Sequence, residues 1–119
     1  MAKLRKAGWK VISSPAASTK GKGTSGGVMI AAKSRIGMGY PPGDTTGTVV
    51  EGRIVAAHID AICKGGVVFY SVYLYPSEGL TERNNLLLKD LAEHIRGHGK
   101  AWIAEGDWNN EPQVLNEAQ

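Results

Sequence analysis

Apolar and polar positions alternate or recur in six stretches along the 119-residue chain. Gly8 to Ser14 reads as a strand that stops before Pro15, which has no amide hydrogen to continue a ladder. Gly26 to Lys33 reads as a second strand, and Val49 to Ala61 resumes a strand pattern. Gly65 to Tyr75 follows, with Cys63-Lys64-Gly65-Gly66 as the hairpin turn before it. Val67 to Leu74 is apolar in both phases of a two-residue period, which predicts a strand covered on both faces. The period then changes. Leu87, Leu88, Leu91 and Ile95 form a stripe at helical spacing. Thr81 is placed to cap that helix, Glu82 favours its positive end, and Gly97 is read as its stop. A last apolar run, Ala101 to Ala104, predicts a buried strand, with Gly106 allowing a tight turn at its end.

The expected order is ββββαβ, without an internal repeat. The intervening stretches, Ala16 to Gly27 and Ser34 to Thr48, read as a solvated loop and an irregular connection; the second holds Pro41, Pro42 and four glycines. One helix cannot cover so many strands, so a sheet face or edge is expected to lack a cover. The fold class is therefore α/β, of the α+β type, with residues 1–119 forming one domain that is part of a larger layered fold.

Composition narrows the picture only slightly. Hydrophobic residues make up 42% and charged residues 21%, a globular balance. A net charge of +3 permits a polyanionic partner without requiring one. Cys63 is the sole cysteine, which excludes an intrachain disulfide and points to a reducing, intracellular setting. No apolar run approaches the ~20 residues needed to span a bilayer. The basic start (Lys3, Arg5, Lys6, Lys10) lacks the apolar core of a secretory signal. Ala16 to Gly27 fails as a phosphate loop, because Gly21-Lys22 is followed by Gly23 and Ala16 stands where a leading Gly belongs.

The candidate chemistry lies at Glu105-Gly106-Asp107-Trp108-Asn109-Asn110. In an extended chain Asp107 and Asn109 fall in the same phase, so an acceptor and a carboxamide face one point at the end of a strand. That pair suits a water, a metal-bound oxygen or a phosphate; Asp-x-Asn is also common in turns.

Taken together, these segments resemble the endonuclease/exonuclease/phosphatase superfamily. Gly26-Gly27-Val28-Met29-Ile30 resembles its "GGV-x-I" strand and Gly52-Arg53-Ile54-Val55 the strand after it. Val72-Tyr73-Leu74-Tyr75-Pro76 resembles its "x-Y-x-P" strand end, with one added residue. The helix over 82–96 and the run Trp102 to Asn109 resemble its "helix, apolar strand, G-D-F/W-N" segment. The resemblance spans about residues 8–112. It implies part of a layered β-sandwich flanked by helices, incomplete at both ends. It also implies phosphoester hydrolysis assisted by Mg²⁺ or Mn²⁺, with nucleic acid the favoured substrate. The alternatives are a phosphatase of lipid or small phosphate esters, and a non-catalytic remnant that binds nucleic acid or a partner. Asp107 and Asn109 match the pair that positions the attacking water and helps hold the phosphate, through a metal's water shell where they meet a metal. Tyr73 matches the tyrosine on the scissile phosphate, with Tyr75 a rival because of the added residue. The metal-binding Asn and Glu and the closing Ser-Asp-His segment of that superfamily have no counterparts here, so the isolated chain is expected to be a poor enzyme or none.

Other candidates carry plainer readings. His94 and His98 lack a third ligand, and a solvated helix end accounts for them. His58 reads as a satisfied core or edge residue, Cys63 has no placeable base, and Trp108 reads as packing. Arg83 and Asn84 open the helix and are the candidate phosphate contacts beside its N-terminus.

Overall fold

The computed structural model describes residues 7–15, 17–18, 24–75 and 81–107, with the main chain alone at 17–18, 24–25 and 107. The strands before the helix are β1 (Trp9–Ser14), β2 (Ala17–Ser18), β3 (Thr24–Ser25), β4 (Val28–Lys33), β5 (Met38–Gly39), β6 (Thr48–Val50), β7 (Ile54–Ile59) and β8 (Val67–Tyr73). Helix α1 (Glu82–His98) and strand β9 (Ala101–Asp107) complete the order. The molecule is a small α+β fold, mostly strands with one helix.

β8 is the centre. It pairs antiparallel with β7 on one side and parallel with β9 on the other, while β5 and β6 share the far edge of β7. A parallel neighbour requires a crossover, and α1 supplies it. The helix packs Leu87 and Leu91 onto Ile54, Ala56, Val68, Tyr70, Val72 and Leu74, all buried. Each such aliphatic side chain contributes roughly 1.5–3 kcal/mol on burial. β1 and β4 form a separate antiparallel ribbon that packs against β7 and β8. The two-phase apolar pattern of β8 reflects this pair of neighbours. Val67, Val68, Tyr70 and Val72 are buried, while Phe69, Ser71 and Tyr73 are half-buried.

Several expectations are corrected. The strand read over 49–61 is two strands, β6 and β7, divided at Glu51-Gly52-Arg53. Gly52 takes φ +71°, its N–H donates to Ser14 Oγ at 2.6 Å, and its carbonyl accepts Gly27 N–H at 2.8 Å. Those two bonds tie the ribbon to the turn. The loop 16–27 contains the short β2–β3 ladder, and the connection 34–48 contains β5. Gly97 does not stop the helix. α1 runs to His98 and ends at Gly99, whose left-handed φ of +62° suits a residue without a side chain. Thr81 holds the N-cap position without a side-chain capping bond.

The last strand is also not buried. Ala101, Trp102, Ile103, Glu105 and Gly106 are exposed, with Trp102 at 49% and Ile103 at 39%. β9 pairs with β8 alone among the described residues, so it forms an edge of the sheet.

Candidate functional site

The parallel register of β8 and β9 sets Tyr73 opposite Asp107, and Ser71 opposite Glu105. Of these, Ser71, Tyr73 and Glu105 line the side where β4 packs. Gly106 has a more specific role than a turn. It lies within β9, where an added Cβ would collide with the Val72 carbonyl oxygen and stand 2.7 Å from the carbonyl carbon. Only glycine lets β9 approach β8 this closely, and that approach fixes Asp107 beside Tyr73. Two adjoining clefts follow β4 along this side. One, of about 310 Å³, is lined by Gly27, Met29, Ser71, Tyr73 and Gly106. The other, of about 300 Å³, is lined by Met29, Phe69, Ser71 and Glu105. Trp108 and Asn109, with Pro76 and the tail after Pro112, lie outside the described residues.

Past the end of β8 the chain meets two arginines. Arg53 is 95% buried and donates through one guanidinium nitrogen to the carbonyls of Tyr73 (3.4 Å) and Leu74 (3.5 Å). Tyr73 N–H returns a bond to the Arg53 carbonyl at 2.8 Å. The Arg53 guanidinium lies 3.8 Å from the Tyr75 ring centre and 5.0 Å from that of Tyr73. Exposed Arg83, in the first turn of α1, stacks on Tyr75 at 3.7 Å. Two cations on one ring concentrate positive charge beside the strand end. Asn84 does not share the phosphate contact expected of it. It is fully buried; its Oδ1 accepts Tyr75 N–H at 2.7 Å and its Nδ2 donates to the Tyr75 carbonyl at 3.2 Å. The carboxamide thus brackets the Tyr75 main chain and sets the direction in which the chain leaves β8.

The histidines of α1 are also reassigned. They are not a solvated helix end. Because α1 continues through Gly97, His94 and His98 stand one turn apart over β8, and both reach Tyr70 Oη, at 2.6 and 2.7 Å. His94 Nε2 meets Asp44 Oδ2 at 2.7 Å, and Lys100 N–H donates to His98 Nδ1 at 2.9 Å. Burial pushes the Tyr70 phenol upward, with Asp44 adding to the effect. Burial first, then the neighbouring His94 and Lys100, push His98 below its ordinary range. His58 bonds the Gly65 carbonyl at 2.8 Å, as expected of a satisfied edge residue. Cys63 is exposed.

Among the described residues no group of three or more His, Cys, Asp or Glu side chains is placed to hold a metal ion. The described residues therefore do not build the Mg²⁺ or Mn²⁺ site that the resemblance implies. No described helix is long and apolar enough to cross a membrane. The sequence reading missed Arg53, whose burial comes from the 51–53 turn that the strand pattern conceals. It also missed the Tyr70 network. The four-residue spacing of the histidines was visible, but nothing local announces that Asp44, fifty residues from His94, would join them. Comparison with protein-family models, curated proteins and solved structures finds no match to this chain.

Proposed function

We propose that the chain carries the central part of a phosphoester hydrolase of the endonuclease/exonuclease/phosphatase type, with nucleic acid as the favoured substrate. The observation that carries this reading is the register of β8 and β9, which brings Tyr73 and Asp107 side by side at the ends of two parallel strands. The ends of parallel strands are a common place for phosphate chemistry in α/β sheets.

In this reading Asp107, with Asn109, orients the attacking water and accepts its proton, a role worth roughly 10²–10⁴-fold. The phenol of Tyr73 donates to a non-bridging phosphate oxygen. Tyr73 is preferred over Tyr75 because it is the residue in register with Asp107, whereas Tyr75 is stacked by two guanidiniums. Exposed Arg83 offers charge to a neighbouring phosphate. The second reading, a non-catalytic remnant that binds nucleic acid, is favoured by one observation: the Arg53–Tyr75–Arg83 stack is assembled within the described residues.

Plasmid cleavage in Mg²⁺ buffer, run beside duplex binding over a range of salt, tests both. Cleavage by the chain alone is expected to be weak, and what there is disappears in Asp107→Ala while binding persists. Binding that weakens with salt but is never followed by cleavage selects the remnant reading. Cleavage that survives Asp107→Ala, or no binding at low salt, overturns the proposal. Arg83→Ala lowers the salt slope by about one in either binding case.

A further inference from the structure

Tyr70 and the side chains of His98, His94 and Asp44 form a hydrogen-bond chain whose direction is fixed from one end. A main-chain N–H can only donate, so the Lys100 amide makes His98 Nδ1 an acceptor. The ring hydrogen of neutral His98 is then on Nε2, where it is donated to Tyr70 Oη. The phenol's own hydrogen goes to His94 Nδ1. That leaves the His94 hydrogen on Nε2, donated to the Asp44 carboxylate. Each donor meets one acceptor, and no position is used twice.

The last link spans two elements that share no ladder. Asp44 lies in the connection between β5 and β6, and His94 lies on α1. Pro41, fully buried, anchors the start of this connection. Gly47 anchors its end, where the carbonyl accepts Ala56 N–H at 2.7 Å. Asp44 falls between these anchors, on the wall of a cleft of about 630 Å³ that also presents Thr46, Thr48, Asp90, Glu93 and His94.

We infer that the Lys100–His98–Tyr70–His94–Asp44 chain is an acid-released catch that holds the 43–46 segment against α1. Adding a proton to His98 places an N–H at Nδ1, facing the Lys100 N–H that it formerly accepted. The turn after the helix and the Nε2 link cannot then both be kept. With that link lost, Tyr70 is no longer oriented towards His94, and Asp44 keeps only its bond to His94; a proton on His94 would strengthen that bond, so release requires that His98 take the proton. The groups facing His98 are Tyr70 of β8, His94 of its own helix, Lys100, Asp44 and His58 of β7. Burial, His94, Lys100 and His58 resist a charge on His98, and Asp44 favours one, with the net effect of lowering its range. The sign follows. A histidine that titrates lower in the closed form than in the open one favours the closed form above about pH 6.5. That preference is lost as pH falls through the closed-form value, by up to about tenfold per pH unit.

Two measurements on the whole chain test this. Long-range ¹H–¹⁵N spectra at pH 7.5 are expected to show both His94 and His98 as Nε2–H tautomers. An Nδ1–H tautomer on either ring overturns the chain of donors. Amide exchange protection at Asp44 and Thr48, corrected for intrinsic rates, is expected to fall between pH 7.5 and 5 in the wild type. In His98→Gln, which keeps a donor towards Tyr70 but does not titrate, protection stays flat. Equal loss in both proteins, or no loss in the wild type, overturns the catch. If the variant does not fold, the wild-type exchange series decides, because no loss of protection at pH 5 overturns the catch.

Discussion

Replacing Tyr70 by Phe removes a single oxygen and leaves the ring in the core beneath α1. The loss falls on two imidazoles at once. His98 Nε2–H loses its acceptor at 2.7 Å, and His94 Nδ1 loses its donor at 2.6 Å. A buried polar group stripped of its partner costs about 1–3 kcal/mol. The His94 side chain keeps 19% of its exposure, so water recovers part of that cost. The expected destabilisation is about 2 kcal/mol for the pair. For a chain of this size that corresponds to a fall of roughly 6–10 °C in the thermal midpoint. Urea unfolding at pH 7.5 reads the same quantity, with an unchanged m-value expected because the buried area hardly alters. A double-mutant cycle with His94→Ala then isolates the link, and a coupling of about 1 kcal/mol is expected. A Tyr70→Phe change below about 0.5 kcal/mol, or additive single mutants, would refute the claim that these residues act as one closed chain.

Two further outcomes follow from close packing near the strand ends. Gly106→Ala sets a methyl into the Val72 carbonyl, a main-chain obstacle that no rotamer change relieves; it is expected to cost about 3 kcal/mol in urea unfolding. Asn84→Ala leaves both main-chain groups of Tyr75 without their side-chain partner; a loss of about 2–3 kcal/mol by thermal unfolding is expected.

Much of the architecture can be read directly from residue periods. The doubly apolar run in β8 predicted the strand with neighbours on both faces, and the Leu87–Ile95 stripe predicted the helix that covers one of them. Where the reading failed, a local pattern was blind to tertiary bonding. Val49 to Ala61 is continuously strand-like in composition. The break at Gly52 is imposed by Ser14 and Gly27, which reach it from the ribbon. Ala101 to Ala104 is apolar enough for burial, yet hydrophobicity cannot report whether a strand has one neighbour or two. Of the candidate site, the meeting of Tyr73 and Asp107 follows from strand order. The burial of Asn84 does not, because Asn in the first turn of a helix is more often solvated than enclosed.

The double attachment at Gly52 also bears on how the chain reaches its fold. Ser14 and Gly52 are 38 residues apart, and Gly27 meets the same residue from beside Ser14, at the same end of the ribbon. The β1–β4 ribbon can form early as a local pairing, but it has nowhere to lock until the 51–53 turn exists. Docking therefore closes the long loop between Gly27 and Gly52, after the local contacts of the ribbon are made. Such late, non-local closure slows folding. A substitution at Gly52 that forbids its positive φ acts on that closing step, so it would slow refolding more than it would hasten the unfolding of a ribbon already seated.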